Sequence, residues 1–230
     1  MKTRPADRPL FRIGRRPDPW AWPDWLRAGA DGTFGNRFDD PQASYRVLYA
    51  GSRLLGAFVE VLARFRPDPA VAAELAQIRG DARDALPPGH LHRAWLETRR
   101  IGEAAVAGTF VDLGHSATLA ALQRRLAPRL RRYGVRDLDG AAIRVSAPRR
   151  LTQEISRFVY EQRTPRGARA YHGISYLSRL GDEFRNWALF EPGDAAGARR
   201  LFRSRRSARI RADHPELRAA LELLGIRLVE

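Results

Sequence analysis

Residues 35–67, GNRFDDPQASYRVLYAGSRLLGAFVEVLARFRP, place an arginine in a Gly-Asn turn, follow it with an aspartate pair, and run a short strand into an amphipathic helix. YRVLYA predicts the strand, and SRLLGAFVEVLARF predicts the helix. Leu54, Leu55, Phe58, Val59, Leu62 and Phe65 share one face, Ser52 is available as N-cap, and Pro67 is the stop. Tyr49 falls at the strand end, and Glu60 on the side of the helix away from the apolar stripe. This spacing asks whether Arg37, Tyr49 and Glu60 meet, and around what.

Outward from that stretch the periods stay mixed. Residues 1–45 form an irregular arm in which PDPWAWPDW sets three tryptophans between prolines that forbid a long helix. Downstream, AVAAELAQIRGDARDAL predicts a second helix, and HRAWLETRRIGEAAVAGTFVDLG two strands about a glycine-containing turn. SATLAALQRRLAPRLRRYG predicts a helix that Pro128 should kink or break. After it come a strand AAIRVS, a helix LTQEISRFVYEQR, a turn TPRGA, and two strands, GISYLS and NWALF, about a polar loop. The tail from residue 193 predicts a basic run, a strand ARIRA, a helix from about Pro215 capped by Asp213, and a last strand IRLVE. Without a regular βαβ rhythm, the pattern predicts an α+β fold in one domain over residues 1–230, with a core from 46 to 192 and a basic extension beyond it.

Composition narrows the chemistry. The chain has 230 residues and no cysteine, which removes disulfides, thiolate metal sites and cysteine nucleophiles together. No apolar run approaches the roughly 20 residues of a membrane span, and the N-terminal sequence lacks the apolar core of a signal peptide, so a soluble cytoplasmic protein is expected. The net charge is +15, and Lys2 is the single lysine among 41 basic residues. Such charge attracts nucleic acid, acidic proteins and phosphorylated small molecules alike, and codon bias in a GC-rich genome also produces arginine-only basic sets.

Familiar motifs are missing: there is no P-loop, G-x-G-x-x-G, G-x-S-x-G or HExxH. His90 and His92 alternate as on a strand but lack a third ligand, so the structural role is favoured and no metal is expected. The basic runs 124–136 and 199–211 contain only Tyr133 and Phe202 for base stacking, which favours solvated faces over a nucleic-acid interface. Glu60 also has an ordinary role open to it, as the i,i+4 partner of Arg64 on an exposed helix face, worth about 0.2–0.5 kcal/mol. Arg37 in turn has Asp39 and Asp40 nearby, Tyr49 suits a core position, and Ser178 suits a turn before RLGDE.

Four blocks, LFRIG (10–14), GNRFDDP (35–41), VLYAGSRLLGAFVEVLARF (47–65) and GISYLSRLGDEFRNWALFEP (173–192), together resemble the RES domain family, named for an arginine, a glutamate and a serine. By that resemblance the three are Arg37, Glu60 and Ser178, accompanied by Arg12 and Tyr49. Asn36 stands where a second glycine is commoner, and FDD where many members have Trp-Asn. The resemblance implies a fold like that of ADP-ribosyltransferases. It also implies a toxin that destroys NAD by phosphorolysis or hydrolysis of the nicotinamide–ribose bond. NAD would then be substrate, phosphate a possible co-substrate, and no prosthetic group would be needed. Glu60 would stabilise the sugar cation, Arg37 and Arg12 would hold phosphates, Tyr49 would stack on nicotinamide, and Ser178 would orient the amide or ribose. The implied partner is an Xre-like helix-turn-helix antitoxin, through which alone the chain would reach DNA. Two other readings stand beside it: a nucleic-acid-binding protein using Arg203, Arg205 and Arg206 with an inert cleft, and a transferase that moves ADP-ribose to a macromolecule.

Overall fold

The computed structural model describes residues 1–67, 88–144 and 148–230. The helix expected over 70–86 lies outside them, as do Val145 and Ser146 of the expected strand AAIRVS. In chain order the strands are β1 (Thr3–Arg4), β2 (Leu10–Arg15), β3 (Val47–Gly51), β4 (His90–His92), β5 (Arg99–Val106), β6 (Phe110–Asp112), β7 (Gly173–Leu177), β8 (Arg185–Phe190), β9 (Phe202–Arg209) and β10 (Arg227–Val229). The helices are α1 (Leu54–Leu62), α2 (Ala94–Glu97), α3 (Ser116–Arg132), α4 (Gly140–Arg144), α5 (Arg149–Glu161), α6 (Ala195–Leu201) and α7 (Pro215–Leu224).

Eight strands form one sheet in the order β1-β6-β7-β8-β3-β2-β5-β9, antiparallel except for the β6–β7 pair, and β4 pairs in parallel with β10 apart from it. The fold is α+β. Its middle strands are apolar on both faces, as burial on both sides requires. Val47, Ala188 and Phe190 pack with α3 and α5, while the alternating Leu48, Ala50, Trp187 and Leu189 pack with Trp20 and Leu201. A third cluster joins α1 and α7 through Phe58, Leu62, Leu217 and Leu221.

Residues 1–45 are therefore more than an irregular arm. Their β2 lies inside the sheet between β3 and β5, and Trp20 is 1% exposed. A Cβ at Gly102 would come within 2.6 Å of the Trp20 indole nitrogen, and one at Gly14 within 2.4 Å of the Pro19 carbonyl, so two glycines clear the sheet face for this Pro-Trp pair.

Several local expectations are corrected. Pro128 does not break α3; it sits on the exposed face with Arg124, so the carbonyl that loses its donor faces water. Residues 141–144 are helical because Asp139 Oδ1 accepts the Ala142 N–H at 2.7 Å. The two strands expected about a glycine-containing turn are there, on either side of Gly108, though they do not pair with each other: β5 lies between β2 and β9, and β6 between β1 and β7. Ser52 is not the cap of α1; its hydroxyl donates to the Arg185 carbonyl, and Arg53 holds the cap position. His214, not Asp213, caps α7, because Asp213 is held by Arg211. The tail strand is Phe202–Arg209 rather than 208–212, so most of the basic run is itself sheet.

Asp112 ties the parallel end of the sheet together. It accepts from Arg4 Nε at 2.8 Å, Arg185 at 3.3 Å and the Gly114 N–H at 3.0 Å. Burial alone would raise its pKa, but these donors outweigh it and hold the carboxyl below its ordinary value. Asp112→Asn should therefore cost about 1–3 kcal/mol at neutral pH. A depressed folded pKa means that the stabilisation is present above the unfolded carboxyl value of about 3.9 and is lost as pH falls through the lower folded value. The difference in urea midpoint between Asp112→Asn and the parent should accordingly shrink as pH drops from about 4 towards 2.

Candidate functional site

The Gly-Asn turn is built by its aspartates, both almost fully buried. Asp39 Oδ2 accepts from the Asn36 backbone N–H at 2.8 Å and from Asn36 Nδ2 at 2.7 Å, and the Tyr49 hydroxyl donates to Asp39 Oδ1 at 2.7 Å. The same hydroxyl accepts the Phe38 N–H at 2.9 Å. Asp40 turns the other way, accepting the Ser44 N–H and pairing with Arg157 of α5 at 3.0 Å. Neither aspartate holds Arg37. Both shape the loop that presents it.

Arg37 lies against the touching rings of Phe38 and Tyr176, whose centroids are 4.7 Å apart, with its guanidinium carbon 5.1 Å from each. One terminal nitrogen donates to the Ile143 carbonyl, and Nε is buried without a partner. Burial pushes its pKa down, and Tyr176 and Glu60 pull it part-way back. Arg12, on β2, donates from Nε to the Pro19 carbonyl at 2.9 Å and from a terminal nitrogen to the Tyr49 carbonyl at 2.8 Å. Burial brings its pKa down to about 10, against the opposing pull of Tyr49 and Asp39.

Glu60 reaches the same space from α1. It is exposed, its Oε1 accepts from Asn186 Nδ2 at 2.7 Å, and among the described residues it makes no ion pair. The i,i+4 bridge to Arg64 is not formed. Together Arg12, Arg37, Tyr49 and Glu60 line a cleft of about 470 Å³, a size suited to a small-molecule ligand. Among the described residues five arginines border it, at positions 12, 37, 64, 149 and 179, with Glu60 as the one carboxylate. The arrangement can hold an anionic ligand while setting one negative charge against it.

Residues 9–213 match the RES domain family. The chain belongs to the RES domain family. A search of curated proteins finds no match. RES domains are associated with toxin–antitoxin systems.

Within this RES domain, Ser178 stands apart from the other sequence candidates. It is 1% exposed and does not border the cleft; its Oγ accepts the Leu180 N–H at 2.9 Å and its own N–H donates to the Phe184 carbonyl at 2.8 Å. It thereby fixes the turn that brings Arg179 and Leu180 to the cleft wall. Sequence reasoning missed Arg149, Tyr176, Arg179 and Asn186 as cleft residues. Tyr176 and Asn186 each sit on a strand recognised as a strand, but which neighbour they face depends on the sheet order. Arg149 and Arg179 were hidden among 41 basic residues.

No helix among the described residues is long and apolar enough to cross a membrane. Nor do three His, Asp or Glu side chains gather there in a way that could hold a metal ion.

Proposed function

We propose that this RES domain is the toxin of a toxin–antitoxin pair and cleaves the nicotinamide–ribose bond of NAD. The observation that carries the reading is one carboxylate, Glu60, free of any cationic partner among the described residues and set in a cleft whose other charged residues, among those described, are arginines. NAD has the complementary charges: a pyrophosphate for the arginines, and a ribose carbon that becomes cationic as the bond breaks.

In the proposed reaction the C1′–N bond breaks with its electron pair going to nicotinamide, which leaves neutral. Positive charge grows on the ribosyl carbon, where the Glu60 carboxylate stabilises it. Asn186 aims that carboxylate. A phosphate oxygen, or a water that gives up a proton, then bonds to C1′. The planar forks of Arg37, Arg12 and Arg179 suit the pyrophosphate or incoming phosphate better than lysines would. The Tyr49 ring borders the space for nicotinamide, while its hydroxyl serves the loop. Ser178 acts at one remove, by holding the turn of Arg179.

The +15 charge suits an antitoxin with an acidic surface, and a helix-turn-helix antitoxin would bring the pair to DNA in the cytoplasm. A nucleic-acid-binding reading has one observation of its own, the exposed arginines of edge strand β9. It predicts oligonucleotide affinity that falls steeply with salt and disappears when Arg203, Arg205 and Arg206 are neutralised.

The deciding assay is NAD turnover by the purified, antitoxin-free protein, with and without phosphate, reading free nicotinamide and the ribosyl product together. ADP-ribose carrying a new phosphate establishes phosphorolysis, and free ADP-ribose establishes hydrolysis. Label transferred from NAD to a macromolecule assigns a transferase. Well-folded protein that releases no nicotinamide overturns the proposal.

A further inference from the structure

A second, wider cavity of about 920 Å³ lies at the other end of the central strands. β8 meets the cleft at Asn186 and this cavity at Phe190, and β7 is bordered by Tyr176 at the cleft and by His172 just before its other end. Four residue steps along β8 separate the two, about 13 Å at roughly 3.3 Å per residue. The sites are distinct.

Two separate pieces of chain supply the cations that border it: Arg163 and Arg169 from the turn after α5, and Arg199, Arg200 and Arg203 from the junction where α6 runs into β9. None of these arginines pairs with a carboxylate among the described residues, and Arg199, Arg200 and Arg203 are exposed without a hydrogen bond. The one acid among the described lining residues, Asp194, accepts the Gly197 N–H at 2.5 Å as the cap of α6. Like charges gathered around one cavity repel each other, a cost that a bound anion removes.

Two of the donors are already fixed in place. Arg169 donates to the Glu191 carbonyl at 2.7 Å and the Tyr160 hydroxyl at 2.8 Å, lies 4.2 Å over the Tyr160 ring, and keeps a buried Nε with no partner. His172 Nδ1 accepts the Thr109 N–H at 3.1 Å, so the neutral ring carries its proton on Nε2 as a further donor. Burial, then Arg169 and Arg200, lower the pKa of His172 and keep it neutral. Among the described lining residues the one aromatic carbocycle, Phe190, is 1% exposed and the other ring, His172, is partly buried and tied through Nδ1 to the Thr109 N–H, so the cavity offers little ring surface for stacking a base.

We infer that this cavity is a binding site, separate from the cleft, for a small molecule bearing two or more adjacent phosphates. Donors arriving from two separate pieces of chain need oxygen atoms spread along a chain, which a lone carboxylate or phosphate does not present. Recognition rests on the phosphates alone, so inorganic tripolyphosphate and a nucleoside triphosphate should bind alike.

Calorimetry with tripolyphosphate on the full chain, at about 0.15 M salt to screen exposed charges, tests this. The expected result is saturable binding, matched by ATP, not shown by adenosine, and weakened at least about tenfold in Arg199→Gln/Arg200→Gln/Arg203→Gln. Those three side chains are exposed and unpaired, so the variant should fold as the parent does. Arg124→Gln/Arg125→Gln/Arg132→Gln removes the same charge from the exposed face of α3 and should leave binding unchanged. Equal weakening in both triple variants would reduce the effect to net charge and overturn the site. Binding lost in Arg149→Gln/Arg179→Gln but kept in the cavity variant would place the anion in the cleft instead. Displacement of tripolyphosphate by a single-stranded oligonucleotide that binds more tightly would make this surface a nucleic-acid interface and overturn the small-molecule assignment. None of these outcomes depends on NAD turnover.

Discussion

Glu60→Gln should lower nicotinamide release from NAD by about 10²–10³-fold, with most of the loss in kcat. The substitution keeps the size of the side chain and an oxygen for Asn186 to donate to, so only the negative charge is removed. In the ground state the positive charge sits on the nicotinamide ring, and as the bond breaks it moves to the ribosyl carbon beside Glu60, so the attraction strengthens in the transition state and acts mainly on the barrier. Stability should stay within about 0.5 kcal/mol of the parent, because Glu60 is exposed and forms no ion pair among the described residues. Comparing kcat and thermal midpoint in the same preparation separates a catalytic loss from misfolding. Unchanged kcat with NAD would remove Glu60 from the chemistry and the proposed reaction with it.

The parts of this picture that were legible in the sequence are those written over short distances. The strand and helix of 45–65 and the hairpin of 173–190 declare themselves through period and turn residues, and mixed periods without a βαβ rhythm give α+β. Errors arose where a neighbour decides the outcome. Pro128 reads as a helix breaker until its exposure shows that the freed carbonyl faces water. Asp213 is a better cap than His214 by residue type, but Arg211 takes it. In the site, the spacing of Arg37, Tyr49 and Glu60 raised the right question, and the resemblance supplied the grouping. Asn186 and Arg179 escaped because sheet order, not spacing, carries them to the cleft. Ser178 shows the opposite case: a residue singled out by the family pattern whose side chain is bonded into its own turn.

Tyr49→Phe separates two roles for that tyrosine. A ring that only flanks nicotinamide is preserved by the substitution, which would then be nearly silent. The hydrogen bonds point the other way: without the hydroxyl, the buried Asp39 carboxylate loses a donor at 2.7 Å and the Phe38 N–H loses its acceptor. Two buried polar groups left short of a partner should cost about 2–4 kcal/mol in a denaturant titration at neutral pH. Asp39 also gives the loss a pH signature. Burial raises its pKa in the folded protein, against the lowering effect of the Tyr49 and Asn36 hydrogen bonds. For a raised carboxyl, the associated stability is complete below the unfolded value of about 3.9 and is lost as pH climbs through the folded value. Removing the Tyr49 donor raises that folded value further, so the variant should lie furthest from the parent at neutral pH and recover part of the difference near pH 4. Activity should fall too, since Arg37 sits between Asn36 and Phe38, the two residues whose positions these hydrogen bonds set. An unchanged midpoint would leave the Asn36–Asp39 bonds alone to shape the loop, and the ring would then be the whole of what Tyr49 contributes to the cleft.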